Sequence, residues 1–134
     1  MPERSIIQSS GFANTGERDR RSGFTLRLRQ PNYRGLCLSL VEGIDICVDG
    51  ETYPAEGNFI MLRGKSFTHA DMANATQIRW AMGECVEVIV PKAAGLKIGV
   101  HEVGCIMRLR HPYFPPQFQP AFVRESRHIT IIQP

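Results

Sequence analysis

Apolar and polar residues alternate along much of this chain, with the period of two that is typical of half-buried β-strands. Residues 24–29 (FTLRLR) and 103–109 (VGCIMRL) show this alternation most clearly. Residues 59–62 (FIML) and 127–132 (RHITII) predict two further strands. Turn residues separate such segments at intervals of about 8–12 residues, as in sandwiches and barrels. We therefore predict an all-β fold, an antiparallel β-sandwich of about eight strands.

Residues 36–40 and 44–48 form a candidate hairpin, because both segments carry an apolar residue at every second position. A three-residue connection, Val41–Gly43, pairs Leu40 with Ile44 and keeps both apolar sets on one face. A two-residue turn puts them on opposite faces, since a shift of one residue turns every side chain over. Burial therefore favours the three-residue connection.

The same reasoning applies to residues 78–82 and 86–90, which are also apolar at alternate positions. A three-residue connection, Gly83–Cys85, sets Trp80 opposite Val88 with both side chains inward. A two-residue turn would oppose Trp80 to a charged residue instead. We predict the longer connection here as well.

One short helix is predicted near residues 68–75, at the sequence FTHADM. Thr68 can cap its first turn, and Asp71 follows three residues later as in a capping box. Asp49-Gly50 is a strong signal for a tight turn after a strand. Residues 91–99 are predicted to be a loop.

The two ends of the chain are less regular in sequence. Residues 8–23 are polar and contain glycine and serine, so we interpret them as a loose connection. We assign residues 1–23 to an N-terminal strand or arm with a loop, and residues 24–134 to a single β-sandwich domain. Residues 111–120 (HPYFPPQFQP) hold four of the nine prolines and are not expected to form regular structure.

Composition narrows the range of partners. The hydrophobic fraction of 43% and the charged fraction of 22% are ordinary for a globular protein. Arginine dominates the positive charge, and six arginines between Arg18 and Arg34 suggest either a basic edge or a solvated face. Aromatic residues do not alternate with these arginines, so a nucleic-acid partner is not predicted.

Apolar runs are far too short for a membrane span, and the sequence after Met1 has no signal-peptide pattern. Four cysteines without a CxxC pair fit thiols that are kept reduced. The first hairpin register places Cys37 opposite Cys47, but directly opposed cysteines make a strained bridge, so two free thiols are the better interpretation. We expect a cytoplasmic protein that has no membrane partner.

No motif of a complete active site is present. The four histidines, at 69, 101, 111 and 128, form neither an HxH nor an HExxH pattern, so we predict no metal site in this chain. A serine nucleophile elbow and a glycine-rich phosphate loop are missing too. The residues therefore favour a binding or partner domain over a self-sufficient enzyme, and we predict no catalytic residue here.

Two proline-stiffened segments are candidate surfaces. Residues 29–35 (RQPNYRG) offer Tyr33 and Arg34, and residues 111–118 (HPYFPPQF) offer Tyr113 and Phe114 among other aromatic residues. Exposed aromatic residues beside arginine are common in protein interfaces and in clefts that bind sugars or polyphenols. The alternative is that the phenylalanines fill one end of the sandwich. We predict that these four residues contact a substrate or a partner, and that both loops lie at one end.

The run RQPNYRGLCLSLVEGIDICVDGE (29–51) resembles the signature stretch of the small β subunit of bacterial C-glycoside deglycosidases. The resemblance continues through residues 67–72 (FTHADM), 78–103 (IRWAMGECVEVIVPKAAGLKIGVHEV) and 108–115 (RLRHPYFP). It covers neither the N-terminal arm nor the C-terminal tail.

This resemblance implies the accessory subunit of a heteromeric carbon–carbon lyase, inactive alone. Its implied partner is a TIM-barrel alpha subunit that carries a divalent metal, expected to be manganese, together with the general acid and base. The implied substrate is a 3-oxo-C-glycoside, bound at the site of the complex. No cofactor is expected in this chain. The competing interpretation is a stand-alone carbohydrate- or polyphenol-binding module, and a cupin-like isomerase lacks its ligands.

Overall fold

The computed structural model describes residues 3–32, 34–111 and 115–132. Within these residues the chain forms eleven strands, three short 3-10 turns and one α-helix. In chain order the strands are β1 (Ala13–Glu17), β2 (Arg20–Arg29), β3 (Leu36–Cys37), β4 (Val41–Val48), β5 (Glu51–Tyr53), β6 (Phe59–Leu62), β7 (Lys65–Phe67), β8 (Arg79–Trp80), β9 (Cys85–Pro91), β10 (Gly99–Leu109) and β11 (Ala121–Ile131). The prediction of an all-β sandwich with one short helix is confirmed.

Two antiparallel sheets form the layers of the sandwich. One has the strand order β1-β2-β9-β6-β7, and the other has the order β11-β10-β4-β5. Strands β3 and β8 make a small third sheet of their own. Four pairings join strands that follow each other along the chain, and the other four, β2-β9, β6-β9, β4-β10 and β3-β8, join distant parts of the sequence.

The core is made from the alternate apolar positions. In β2, Phe24, Leu26 and Leu28 are fully buried while the residues between them are half-buried. Strands β4, β9 and β10 show the same pattern. Each fully buried aliphatic or aromatic side chain stabilises the fold by about 1.5–3 kcal/mol relative to exposure. The alternation that predicts strands therefore also supplies the core.

The first predicted hairpin is wrong in its pairing. Residues Leu38–Leu40 form a 3-10 turn, and Val41 already belongs to β4. Strand β3 pairs with β8, whereas β4 pairs with β10 and β5, so Leu40 and Ile44 do not face each other across a hairpin. The chain uses this turn to cross from one sheet to another while Leu38 stays buried.

The second predicted hairpin is wrong for the same reason. Trp80 pairs with Leu36, and Val88 pairs with Leu26 and Ile60 in a different sheet. Both Trp80 and Val88 are fully buried, as the pattern predicts. Inward burial can be satisfied by two strands in different sheets, so it did not establish that the strands are neighbours.

The predicted register that placed Cys37 opposite Cys47 is also wrong. Cys37 pairs with Arg79, and Cys47 pairs with Gly104 and Thr52. All four cysteines are free. Burial is the main cause that raises the pKa of the Cys105 thiol to about 12.

The prediction of a loose connection at residues 8–23 is wrong. Strand β1 pairs with β2, which begins at Arg20 rather than Phe24. Further upstream, the Gln8 N–H donates to the Arg27 carbonyl at 3.0 Å. Polar residues can form an edge strand when their backbone groups pair with a buried neighbour, and hydrophobic patterning does not report this.

Three smaller predictions are confirmed. The helix α1 (His69–Ala73) begins after Thr68, which with Asp71 forms a complete capping box. Strand β6 has the predicted bounds, and residues between β9 and β10 form a loop. The last strand is longer than predicted, since it begins at Ala121. In the part of the chain that the structure describes, no helix has the length and apolar character needed to cross a bilayer.

The Asp49-Gly50 turn joins β4 to β5 as predicted, with φ of 50° at Asp49 and 87° at Gly50. A Cβ at Gly50 would meet nothing within 4 Å, so a Gly50→Ala variant tests backbone conformation alone. We expect it to lower the free energy of unfolding by about 1–2 kcal/mol, because alanine is strained in the left-handed region. Urea unfolding measures this change.

Gly57→Ala is the matched control, because a Cβ at Gly57 also meets nothing within 4 Å and its φ is not positive. It should leave the free energy of unfolding unchanged or raise it slightly. Equal effects of the two substitutions would contradict the assignment of a left-handed turn.

Candidate functional site

The sandwich has two ends with different chemistry. At one end, which we call the proline end, residues 30–32, 34–35, 110–111 and 115–120 follow β2 and β10. At the other, which we call the lysine end, the Asp49-Gly50 turn lies beside the loop that carries Lys92 and Lys97. A hydrogen bond between Asn32 and His111 brings the described residues of the two proline-containing loops together, as the sequence predicts.

A direct hydrogen bond joins the two loops of the proline end. Asn32 Nδ2 lies 2.9 Å from His111 Nδ1, and His111 is only 8% exposed. The Asn32 Oδ1 accepts from the backbone N–H of Arg34 at 2.9 Å, which fixes the orientation of the amide. The amide therefore donates to His111 Nδ1.

Hydrogen bonds between His111 and Gln119 also link the start and the end of the second loop. The His111 N–H donates to Gln119 Oε1 at 2.6 Å, and Gln119 Nε2 donates back to the His111 carbonyl at 2.5 Å. A 3-10 turn at Pro116–Phe118 lies between them. These bonds hold the start and the end of the loop together, so its described parts have a defined geometry.

Gln30 supplies an unsatisfied donor close to this junction. Its side chain is 1% exposed, and its Oε1 accepts from the Asn32 N–H at 2.9 Å. Within the described part of the chain, its Nε2 has no hydrogen-bond partner. A buried donor without an acceptor costs about 1–3 kcal/mol, so this position favours an acceptor from outside the described residues.

The proline end is also basic. Arg79 donates to the backbone carbonyl of Arg34, and Arg63 Nη2 donates to the carbonyl of Arg79 at 3.0 Å. Glu84 binds Arg63 at 2.5 Å, and Arg110 pairs with Glu42 at 2.7 Å. Arginine forks ordered in this way are suited to carboxylates and other acceptor-rich surfaces.

The four predicted contact residues lie in these two loops. Arg34 is exposed and lies next to Asn32 in the turn. Tyr33, Tyr113 and Phe114 lie outside the described residues. Their role stays a prediction. Sequence reasoning missed Gln30, because burial of a single polar side chain leaves no periodic signal.

The lysine end contains a cleft of about 540 Å³. Its polar lining includes Tyr53, Lys92 and His101. Lys92 Nζ lies 6.0 Å from the centre of the Tyr53 ring. Burial, together with the charge of Glu51, raises the pKa of Tyr53 to about 12, so its hydroxyl stays protonated.

His101 links the Asp49-Gly50 turn to the loop that carries Lys97. Its Nδ1 lies 2.6 Å from Asp49 Oδ2, and its Nε2 lies 2.7 Å from the Lys97 carbonyl oxygen. An ionised carboxylate and a carbonyl can only accept, so both ring nitrogens donate and the ring is positively charged. Burial by itself lowers the pKa of His101, but the bonds to Asp49 and Lys97 outweigh it and raise the pKa. His101 donation, with the Glu102 N–H, lowers the pKa of Asp49.

Neither end gathers metal ligands from the described residues. Over residues 3–32, 34–111 and 115–132, no group of three or more histidine, cysteine or acidic side chains could hold an ion. What the geometry offers is a rigid, basic, proline-stiffened end and a polar cleft at the opposite end. The fold and these two ends define a β-sandwich with surfaces that can bind a partner or a ligand.

Comparison with known proteins identifies the family. The model of the C-glycoside deglycosidase beta subunit family matches residues 2–113. A 3'-dehydrocarminate deglycosidase beta subunit from Microbacterium sp is 30% identical over 124 residues, which cover 92% of this chain and 89% of that protein. The chain therefore belongs to the C-glycoside deglycosidase beta subunit family.

Two further relatives carry the family's name. The C-glycoside deglycosidase beta subunit of Eubacterium cellulosolvens is 27% identical over 118 residues, covering 87% of this chain and 80% of the relative. The C-glycoside deglycosidase beta subunit of Arthrobacter globiformis is 27% identical over 112 residues, which cover 81% of this chain and 84% of that protein. The resemblance inferred from the sequence is confirmed.

The His101–Asp49 pair predicts a pH-dependent contribution to stability. The raised pKa of His101 gives stabilisation that is complete below about 6.5 and is lost as pH rises through the folded value. The lowered pKa of Asp49 gives stabilisation that is lost only as pH falls through its folded value. Asp49→Asn should therefore lower the free energy of unfolding more at about pH 5.5 than at about pH 9.

Urea unfolding at the two pH values measures this difference. Asparagine tolerates the positive φ of this position, so the substitution should leave the turn in place. Asp19→Asn, at the exposed tip between β1 and β2, is the matched control and should show no such difference. A loss in Asp49→Asn that is equal at both pH values would contradict the ion pair.

Proposed function

We propose that this chain is the accessory beta subunit of a heteromeric carbon–carbon lyase. The complex cleaves the bond between the sugar and the aglycone of 3-oxo-C-glycosides. The partner is a TIM-barrel alpha subunit that holds a divalent metal, manganese, and the general acid and base. The chain by itself is inactive.

The observation that carries this proposal is the family match over residues 2–113. The name of the Microbacterium relative adds the form of the substrate, since it specifies a 3'-dehydro glycoside. A ketone at the third sugar carbon acidifies the proton on the second carbon, so a base can remove it at moderate pH. The aglycone can then leave the anomeric carbon as its own ring carbon is protonated. A 3-oxo sugar is thus chemically suited to this cleavage.

The proline end is the part of this chain that we assign to the partner. The Asn32–His111 bond and the bonds between His111 and Gln119 hold the described parts of both loops in place before association, which reduces the entropy lost on binding. TIM-barrel sites open at the C-terminal ends of the strands, where such loops can form a wall that excludes water.

A stand-alone carbohydrate- or polyphenol-binding role is the second candidate. The lysine-end cleft favours it, because Tyr53 and Lys92 combine an aromatic face with a charged donor. This role requires no second subunit. Isothermal titration of the lone chain with a flavonoid C-glycoside distinguishes the two, since only the second candidate predicts binding without a partner.

Co-expression tests the lyase assignment. The chain is produced alone, and together with a candidate alpha subunit, a sugar-isomerase-like TIM-barrel protein. Each preparation is incubated with a 3-oxo-C-glycoside and Mn²⁺, and aglycone release is followed by chromatography. We expect release only from the co-purified pair. Release by the lone chain, or none from a purified complex, would contradict the proposal.

The loop residues give a second prediction for the complex. Replacing Tyr33, Arg34, Tyr113 or Phe114 by alanine should weaken assembly or raise KM, by about 1–3 kcal/mol for a genuine anchor. The stability of the lone chain should change less, because an interface residue contributes little to the domain's own core. Assembly is measured by surface plasmon resonance, and stability by urea unfolding.

Arg18→Ala is the matched control for Arg34→Ala. Arg18 is also an exposed arginine on a turn, but it lies beyond β1 at the lysine end. It should leave both assembly and KM unchanged. If the four loop variants instead unfold the lone chain and leave the complex active, these residues fill the end of the sandwich.

A further inference from the structure

The two large sheets leave four edge strands, and three of them are short or irregular. Strands β5 and β7 have three residues each, and β1 has five with a register shift at Thr15/Gly16. Strand β11 differs, because it runs for eleven residues in unbroken register with β10. Long, regular edges are templates for pairing with another strand, and proteins commonly interrupt them.

The direction of the backbone groups on β11 follows from its neighbour. The Glu102 carbonyl accepts from the Asp49 N–H at 2.8 Å, and the Glu102 N–H donates to Asp49 Oδ1 at 2.9 Å. Glu102 thus points its backbone groups away from β11, and His128, its partner there, points its own groups to the open edge. By alternation the open-edge residues are Phe122, Arg124, Ser126, His128 and Thr130.

The backbone N–H and C=O groups of these five residues form an unpaired row along the edge. Within the described residues, no hydrogen bond reaches their backbone N–H or C=O groups, and all five side chains are exposed. The buried contacts of β11 use the other face, where the Glu125 carboxylate accepts from the Ile7 N–H at 2.8 Å. The edge is therefore available without disturbing the core.

We propose that β11 pairs with β11 of a second copy of this chain, antiparallel, about a two-fold axis that passes through Ser126. The two four-stranded sheets then join into one continuous sheet of eight strands. Each open-edge residue meets another open-edge residue, and each such pair exchanges two backbone hydrogen bonds. The proposal is independent of the lyase assignment.

Charge selects this register over its neighbours. With Ser126 on the axis, Glu125 of each copy lies opposite Arg127 of the other, and Val123 lies opposite Ile129. Within each copy the Glu125 carboxylate also accepts from the Ile6 and Ile7 N–H groups and Arg127 donates to the Ile7 carbonyl, so the opposed charges add to these contacts. A shift that centres the axis on Glu125 opposes two carboxylates, and a shift that centres it on Arg127 opposes two guanidinium groups. Directly opposed like charges are destabilising in antiparallel pairs, and opposite charges are stabilising.

The exposed face is compatible with this arrangement. Phe122, which is 55% exposed, comes to lie opposite Thr130 of the other copy, a pair of residue types common in strands. Arg124 faces His128, whose Nε2 is 3.8 Å from the Glu102 carboxylate. Ser126 on the axis is small and uncharged, so the two copies can approach closely.

Because the residue on a two-fold axis faces itself, charged substitutions at Ser126 give a sharp test. The full chain is measured by sedimentation equilibrium up to about 0.1 mM, where we expect a dimer. Ser126→Lys and Ser126→Glu should each lose the dimer, since two like charges then oppose each other. An equimolar mixture of these two variants should restore it. Ser126→Ala is the control and should stay dimeric, because the backbone groups are unchanged.

Cross-linking tests the same register without relying on charge. Cα atoms of a hydrogen-bonded antiparallel pair are about 5.5 Å apart, so two thiols on the axis lie within reach of a short bifunctional thiol reagent. With this reagent Ser126→Cys should give more cross-linked dimer than the wild-type chain with its four free cysteines, whereas Thr130→Cys should not. Circular dichroism establishes that every variant is folded.

A wild-type chain that stays monomeric would overturn the proposal. This holds even if a partner subunit is then found to cover β11. A dimer that survives both charged substitutions, or variants that do not recombine when mixed, would overturn the register and with it the proposed axis. Cross-linking of Thr130→Cys in preference to Ser126→Cys would do the same.

Discussion

The structure depends on one constraint, the burial of alternate side chains between two twisted sheets. Each long strand commits one face to the core, and in β2 the buried residues are Phe24, Leu26 and Leu28. Because the side-chain period is two, the opposite face is left for polar contacts, edges and partners. Core burial fixes the register of the strands. Those strands in turn set the positions of the Asn32–His111 hydrogen bond and of the open edge of β11.

The two ends of the sandwich show how buried polar groups serve different purposes. At the lysine end, His101 satisfies both of its nitrogens with Asp49 and the Lys97 carbonyl, so it stabilises the fold. At the proline end, Asn32 and His111 are paired but the neighbouring Gln30 Nε2 is not. A complete set of hydrogen bonds stabilises the fold, whereas a buried donor without an acceptor costs stability.

The candidate site could be predicted only in part. Proline, tyrosine and arginine clustering drew attention to the two loops, because those residue types stiffen backbone and form interfaces. The hydrogen bonds that join the loops could not be found in this way. Asn32 and His111 are 79 residues apart in the sequence, and no local pattern reports that they meet. Gln30 has no periodic signal at all, since its importance comes from what surrounds it.

The sequence by itself determined which apolar side chains of the alternating strands are buried, where α1 begins and where the Asp49-Gly50 turn lies, because burial periodicity, capping and turn chemistry are local properties. It also carried the family resemblance. Tertiary structure decided which strands are neighbours. Leu36 and Ile44 are both buried, yet they belong to different sheets, since Leu38–Leu40 turns the chain from one layer to the other. Inward burial requires only that a side chain reaches the shared core, and a core between two sheets can be reached from either one.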